Sequence, residues 1–237
     1  MDRNTRGLLV GMSLGDGYIQ VRERSRDGNG PYVSASMQVK HSVSQVDYCE
    51  YKASLLRAAT GRKCEVRFYD AMANGKTYKQ AQFSFSHPYV RTLHGWMYKD
   101  GKKFYDKQTM TYLTPEGIAI WYMDDGTGRV NRNKDGVITS CSTSIATMCS
   151  REEVDTIVDF FQGEYGIEFK KRYDKRRTES KAWFIEANTE ASRKFDSLVQ
   201  PYIIKSMEYK LAHIAGLGSH ECGTTSRSAK AIWESKI

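Results

Sequence analysis

The chain has few cysteines, and they are not arranged as disulfide partners or zinc ligands usually are. Its 237 residues include five cysteines, an odd number scattered along the sequence without a Cys-x-x-Cys pair. This pattern argues against a disulfide framework and against a structural zinc site, and it favours reduced thiols in an intracellular protein. His213, His220 and Cys222 form a local cluster of possible zinc ligands, but their spacing is irregular.

The chain also lacks a hydrophobic run long enough to cross a bilayer. The apolar stretch from Leu8 to Leu14 leads directly to Asp16, and it is far shorter than the about 20 apolar residues that a membrane-spanning helix needs. Residues 1–6 are polar and charged. We therefore expect neither an export signal nor a membrane partner.

Acidic residues are fewer than basic ones. The sequence has 36 Lys and Arg residues against 28 Asp and Glu, which gives a net charge of +8. Such an excess attracts and steers a polyanionic partner, although a merely soluble basic protein would show the same balance. The length and the 40% content of hydrophobic residues allow either one large domain or two domains of about 100–120 residues.

One pattern occurs twice, namely an apolar helix that runs into an Asp-Gly pair. The first copy ends at Asp16-Gly17, and the second, which begins at Thr114-Pro115, ends at Asp125-Gly126. A single Asp-Gly pair is a common turn signal, but two helices that pack together can bring two acids to one point. Paired carboxylates at one point are what a hydrolytic metal site needs.

The same order of elements follows each Asp-Gly helix. Alternating polarity predicts strands and helical periodicity predicts helices, so each half is expected to contain helix, two strands, helix, two strands and helix. In the first half the strands are predicted at 18–24, 32–40, 63–70 and 77–86, and the later helices at 44–59 and 88–97. In the second half the strands are predicted at 127–131, 137–142, 167–175 and 180–187, and the later helices at 151–165 and from 189 towards 199.

We therefore predict an α+β fold of two pseudo-symmetric αββαββα repeats with antiparallel sheets. The first repeat covers residues 1–98, a basic linker covers 99–112 and the second repeat covers 113–216. The polar tail at 217–237 has no assigned role.

The two Asp-Gly helices resemble the motif of the LAGLIDADG homing endonucleases in their single-chain, two-repeat form. Residues 9–17 match that motif at the leading Leu, the central Gly and the final Asp-Gly. Residues 118–126 match at Ala119 and at the final Asp-Asp-Gly, with Ile120 where the motif has Gly. The strings 113–126, 101–103 and 207–211 are similar to the yeast-mitochondrial-type intron-encoded members, and the resemblance extends from about residue 7 to 211.

The resemblance implies that the two helices pack side by side at the centre of the molecule and carry a metal site. In the first helix Gly7, Gly11 and Gly15 recur every four residues and leave one stripe without side chains. The expected ligands of Mg²⁺, for which Mn²⁺ can substitute, are the carboxylates of Asp16 and Asp125 and the backbone carbonyls of Gly15 and Asp124. Two lysines are expected near the scissile phosphate: Lys210 for one half and, for the other, Lys103 or else Lys102.

The resemblance also implies a monomer that binds double-stranded DNA through the polar faces of its sheets and cuts both strands. Arg reads guanine and Gln reads adenine through paired hydrogen bonds in the major groove. In the first half the candidate DNA-binding residues are Gln20, Arg22, Arg24, Ser36, Gln38, Lys40, Arg67, Gln80 and Gln82. In the second half they are Arg129, Asn131, Ser140, Lys170 and Arg172.

Three other functions remain open from the sequence. An RNA maturase, which assists the splicing of an intron, could keep the two acids without needing them, and its partner would be intron RNA. A DNA-binding protein that has lost catalysis would use the same scaffold. Zinc-dependent nuclease chemistry would have to rely on the irregular cluster of His213, His220 and Cys222.

Overall fold

Each half of the chain forms an antiparallel sheet with helices packed on one face. The computed structural model describes residues 1–26, 30–177 and 182–212. The polar tail at 217–237 and the possible zinc ligands His213, His220 and Cys222 lie outside the described residues.

In its described residues, the first half contains three α-helices, a 3-10 turn at Val43–Gln45 and one four-stranded sheet. In chain order the elements are α1 (Arg3–Leu14), β1 (Tyr18–Arg26), β2 (Gly30–Ser42), α2 (Val46–Thr60), β3 (Arg67–Ala73), β4 (Lys76–Phe85) and α3 (Pro88–Met97). The strands lie in the order β1-β2-β4-β3, and all neighbours are antiparallel.

A short connection leads to the second half, which repeats this order. The connection contains β5 (Tyr98–Lys99), β6 (Lys102–Lys103) and α4 (Lys107–Met110). The second half consists of α5 (Pro115–Asp125), β7 (Gly126–Arg132), β8 (Ile138–Cys149), α6 (Arg151–Tyr165), β9 (Phe169–Tyr173), β10 (Trp183–Ala187) and α7 (Thr189–Val199). Its sheet has the equivalent strand order β7-β8-β10-β9, and two 3-10 segments, Gln200–Tyr202 and Lys205–Lys210, follow α7. The predicted fold class is confirmed.

Two predicted strands differ most from their observed bounds. The third strand begins at Arg67, four residues later than expected, and β8 continues to Cys149 rather than stopping at residue 142. In the extended part of β8, Thr143, Ile145 and Thr147 are buried and alternate with more exposed neighbours, which is the pattern of a half-buried strand.

Helices α1 and α5, which we call the motif helices, are in direct backbone contact. A Cβ atom on Gly11 would overlap the carbonyl of Gly117, and a Cβ atom on Gly117 would overlap the carbonyl of Gly7. The glycine stripe of α1 therefore serves close approach, as its spacing suggests. In α5 the approach depends on Gly117 rather than on the position of Ile120.

The bulky residues of α5 point into the core of the second half. Trp121 and Tyr122 are fully buried. The Trp121 ring stacks on Phe161 of α6, and the Tyr122 ring meets Phe195 of α7 edge to face. Their size therefore does not separate the motif helices.

The core is continuous across the two halves. Buried apolar residues from both sets of helices and sheets form one cluster around the motif helices. Across the described ranges, every helix is too short or too polar to cross a membrane. The four described cysteines, Cys49, Cys64, Cys141 and Cys149, are buried free thiols.

Candidate active site

The motif helices bring their acidic ends together. At their N-terminal ends Gly7 lies against Thr114, and at their C-terminal ends Gly15 lies against the side chain of Asp124, so the helices run in the same direction. Asp16 follows the end of α1, and Asp125 is the last residue of α5. The structure thus places both predicted catalytic acids at one end of one helix pair.

The electrostatics of the two acids reflect burial and mutual repulsion. Burial raises the pKa of Asp125 to about 7, and the charges of Asp124 and Asp16 add to the shift. Burial also raises the pKa of Asp16, with a further contribution from Asp124. Carboxylates whose charged forms are disfavoured in this way gain most from a nearby cation.

One lysine lies at the end of each motif helix. The Lys103 ammonium donates to the Gly15 carbonyl at 2.5 Å. The Lys210 ammonium donates to the Asp124 carbonyl at 3.0 Å and to the Met123 carbonyl at 2.5 Å. Burial lowers the pKa of both lysines, while the nearby carboxylates oppose that shift.

These contacts test whether the expected ligands suit a metal ion. The carbonyls of Gly15 and Asp124 end their helices, where the helix dipole favours positive charge, and each already accepts a hydrogen bond from an ammonium group. The Asp16 side chain is 47% exposed and is accessible to an ion. Oxygen donors of this kind fit hard divalent cations such as Mg²⁺.

A buried cluster beside Asp16 was not predicted from the sequence. Asp16, His41 and Asp124 each offer a ligand atom within 4.8 Å of the others. Between His41 and Asp124 lies the Lys52 ammonium, 2.5 Å from Asp124 Oδ1 and 3.1 Å from His41 Nε2. The side chains of Lys52 and Asp124 are fully buried.

The Asp124 carboxylate is therefore occupied by protein donors. Besides the Lys52 ammonium, it accepts a hydrogen bond from the Asp16 amide at 3.0 Å. Both carboxylate oxygens of Asp124 thus already bind groups of the protein. The signal that points to Lys52 is its position on α2, among the buried residues Tyr48, Cys49 and Leu56.

The first-half candidates for DNA binding share one sheet face. Residues directly opposite each other in antiparallel strands lie on the same face, and here Gln20 pairs with Ser36, Lys40 with Gln82, and Gln82 with Arg67. The set on this face consists of Gln20, Arg22, Ser36, Gln38, Lys40, Arg67, Gln80 and Gln82. The backbone of Arg24 continues this row, but its side chain is not among the described ones.

The second-half candidates also share a face, but that face includes an acid. Arg129 pairs with Ser142, and Asn131 with Ser140, whose hydroxyl accepts a hydrogen bond from the Asn131 amide at 2.9 Å. Lys170 lies opposite Glu186, which accepts a hydrogen bond from Arg172 Nε at 2.8 Å. The basic character of this face is therefore partly neutralised, as is that of Arg67 in the first half, whose guanidinium lies 3.6 Å from the Glu65 carboxylate.

The acidic end of the motif helices opens onto the second sheet. A cavity of about 440 Å³ is lined by Asp125, Lys210 and Thr127, together with neighbouring residues. Thr127 belongs to β7, on the same face as Arg129. A ligand lying along the sheet would therefore reach Asp125 and Lys210.

Comparison with known proteins identifies the family to which this chain belongs. The model of the LAGLIDADG DNA endonuclease family matches residues 6–195. Protein RecA of Mycolicibacterium chitae is 30% identical over 214 residues, which cover 86% of this chain and 45% of that protein. Cytochrome b mRNA maturase bI2 of Saccharomyces cerevisiae is 26% identical over 219 residues, which cover 90% of this chain and 48% of that protein. The chain thus spans a little less than half the length of these relatives.

A solved structure has the same fold. The homing endonuclease I-WcaI, bound to its DNA recognition sequence, superposes with a TM-score of 0.70 at 21% identity. The match covers 89% of this chain and 86% of that one. It confirms the architecture of two repeats around the motif helices.

Proposed function

The chain belongs to the LAGLIDADG DNA endonuclease family, and we propose that it is a monomeric, sequence-specific endonuclease that cuts both strands of a long asymmetric DNA site. One observation carries the proposal: two acidic helix ends meet, and each has a lysine ammonium on the carbonyl before its final acid. Polar sheet faces lie on either side, as a duplex that crosses both halves would require.

Hydrolysis of a DNA phosphodiester requires a large reduction of its barrier, on the order of 20 kcal/mol. Bound divalent metal ions supply activated water and offset the negative charge of the phosphate. Asp16 and Asp125 would hold Mg²⁺ or Mn²⁺ through their carboxylates, and Gly15 and Asp124 through their carbonyls. Lys103 and Lys210 keep positive charge beside the phosphate, where it stabilises the transition state.

Recognition is assigned to the two sheets. A β-ribbon fits the major groove, where Arg reads guanine and Gln reads adenine. The face that carries Gln20, Arg22 and Gln38 offers such groups, and the second face offers Arg129 and Asn131. The complex of I-WcaI with its DNA recognition sequence supports this assignment by likeness of fold.

A second candidate function is that of an RNA maturase. It is favoured by the match to the yeast maturase bI2, which covers 90% of this chain. A maturase would bind its intron RNA and promote splicing without cutting DNA. The two candidates therefore differ in a measurable product.

Cleavage of a randomised duplex library by the purified protein tests the endonuclease proposal. With Mg²⁺ we expect double-strand cuts at one family of sites. Asp16→Asn and Asp125→Asn should each abolish cutting and leave duplex binding largely intact, whereas the control Asp159→Asn, on the exposed side of α6, should cut normally. Unchanged cutting by Asp16→Asn would overturn the mechanism, and splicing activity without any cutting would favour the maturase.

A further inference from the structure

A fully buried lysine joins the two halves of the molecule next to the acids. Lys52, on α2 of the first half, contacts Asp124, on α5 of the second half, and neither side chain is exposed. Two rings of the first half lie beside Lys52. Its ammonium lies 3.1 Å from His41 Nε2 and 4.3 Å from the centre of the Tyr48 ring.

A buried ion pair such as Lys52–Asp124 contributes little net stability. Removing two charges from water costs several kcal/mol per ion, and apolar pairs of the same size are often as stable or more so. A buried ion pair is better suited to fixing geometry, because each hydrogen bond has a defined direction.

The first atoms that Lys52 holds belong to the main chain of Asp16. While Lys52 binds Oδ1 of Asp124, the other oxygen, Oδ2, accepts a hydrogen bond from the Asp16 amide at 3.0 Å. The space for this contact exists because the preceding residue is Gly15, where a Cβ atom would overlap the Asp124 side chain. One rigid carboxylate thus connects Lys52 to the backbone of the predicted metal ligand.

Lys52 also orients a group that faces the Asp16 carboxylate. An ammonium is only a donor, so His41 Nε2 must accept from Lys52 and the ring proton must be on Nδ1. His41 Nδ1 lies 3.6 Å from Asp16 Oδ2. Two partners of Lys52 therefore lie beside Asp16: Asp124 binds its backbone amide, and His41 faces its carboxylate.

We propose that Lys52 is a positioning residue of the cleavage site, which holds Asp124 and His41 so that Asp16 keeps one fixed place between the two halves. This inference rests on the proposed endonuclease function. It assigns to the Asp124 carboxylate a role as a hydrogen-bond acceptor for Asp16. The competing explanation is that the ion pair only holds the two halves together.

Neutral replacements of the pair separate these explanations. Lys52→Met alone leaves a buried carboxylate without its counter-ion and should lower the denaturant midpoint strongly. The double variants Lys52→Met/Asp124→Asn and Lys52→Met/Asp124→Leu remove both charges and should recover most of the stability. Only the first keeps an oxygen that can accept a hydrogen bond from the Asp16 amide.

The two double variants should therefore differ in how well the Asp16 amide is protected from hydrogen exchange. In the Asp124→Leu double variant we expect hydrogen exchange of the Asp16 amide to be roughly ten-fold faster than in the Asp124→Asn double variant, which corresponds to about one hydrogen bond. The Gly17 amide, which donates to the Met12 carbonyl at 2.8 Å, should stay protected in both. Single-turnover cleavage should be roughly 10²-fold slower in the Asp124→Leu double variant, as expected for a small misplacement of a reacting group, with duplex binding retained.

If the Lys52→Met/Asp124→Asn double variant equals the wild type in cleavage rate and in Asp16 exchange, Lys52 positions nothing and the ion pair is purely structural. Equal values in the two double variants would likewise show that the oxygen of residue 124 does not hold Asp16, and either result overturns the proposal. Lys171→Met is the matched control, because Lys171 pairs with Asp155 at the same distance, 2.5 Å, but on the surface; it should behave like the wild type. If the wild type cuts no duplex, the proposed function fails, while the exchange of the Asp16 amide still decides the positioning role.

Discussion

Lys103 and Lys210 occupy equivalent places in the two halves: Lys103 donates a hydrogen bond to the carbonyl of the residue before Asp16, and Lys210 to the carbonyl of the residue before Asp125. They come from unlike elements, since Lys103 lies in the strand β6 and Lys210 in a 3-10 segment. Both nevertheless follow the last helix of their half. The pseudo-symmetry of the fold therefore extends to the cations beside the acids.

This equivalence predicts that each lysine contributes mainly to the cleavage of one of the two DNA strands. Lys103→Met and Lys210→Met should each slow cleavage by about 10²–10³-fold, the usual loss when one group that stabilises a transition state is removed. Because each lysine contacts one motif helix, one strand should be cut more slowly, and nicked duplex should accumulate in a time course on a gel. Lys102→Met, at an exposed neighbouring position, is the control. Equal slowing of both strands by each variant would contradict the assignment.

The contact of Gly11 with Gly117 predicts a strict size limit in α1. Gly11→Ala places a methyl group against the Gly117 carbonyl and should destabilise the protein by at least about 1–3 kcal/mol. Gly95→Ala, in α3, meets no atom within 4 Å and should be stabilising by about 0.5–1 kcal/mol. Urea unfolding of both variants measures the difference. Equal stabilities would show that the motif helices can move apart at little cost.

Gln20 and Gln38 are predicted to read one base pair together. Gln38 Nε2 donates to Gln20 Oε1 at 3.1 Å, which leaves one amide oxygen and one amide NH₂ group for a ligand. The reverse assignment of both amides leaves the same two groups, and they match the N7 acceptor and N6 donor of adenine.

Gln20→Ala and Gln38→Ala should therefore relax the preference at the same base pair, each at a cost of about 1–3 kcal/mol. Binding selection from randomised duplexes identifies the affected position. Gln80→Ala is the comparison, because Gln80 lies on β4, opposite Ser42 and Tyr69, and should affect a different pair. If the two variants relax different base pairs, Gln20 and Gln38 act separately.

The raised pKa of Asp125 predicts a pH-dependent stability without metal. Its folded value is about 7 and its unfolded value about 3.9, so the folded state binds more protons in between and loses stability as the pH rises through that window. Asp125→Asn removes this loss. With a chelator present, the variant and the wild type should be about equally stable at pH 4, and the variant should be more stable by up to about 4 kcal/mol at pH 8.

The difference in stability between Asp125→Asn and the wild type isolates the effect of Asp125, because His41 changes the pH dependence of stability in the opposite direction. Burial lowers the pKa of His41 to about 4, so its contribution to stability is lost as the pH falls below its unfolded value. Urea unfolding at several pH values gives the difference between variant and wild type. A difference that stays constant with pH would mean that Asp125 is not destabilised in its charged form.

Local signals were sufficient for much of the fold. The bounds of α3 and α6 are as predicted, because their ends are set by nearby groups: the His87 side chain accepts from the Tyr89 amide, and Ser150 and Glu153 form a capping box. The length of β8 was not predictable in this way. Its buried Thr143 is stabilised by the side chains of Ser192 and Asp196 of α7, which are distant in sequence.

The same distinction applies to the candidate site. The sequence carries Asp16 and Asp125 in recognisable motifs, and the lysines in matching strings. Lys52 and Asp124 are 72 positions apart in the sequence and lie in different halves. The local sequence around either residue does not indicate its partner. A lysine among buried positions of an amphipathic helix is the one visible indication, and burial itself depends on the partner helix.

The buried ion pair limits which first and second halves can be combined in a chimaeric protein. Lys52 comes from the first half and Asp124 from the second, and both are fully buried. A fusion of this first half with the second half of a relative that has no acid at the equivalent position would enclose an ammonium without a counter-charge, at a cost of several kcal/mol. Exchange of halves, as a route to new DNA specificities, therefore requires that residues 52 and 124 be transferred as a pair.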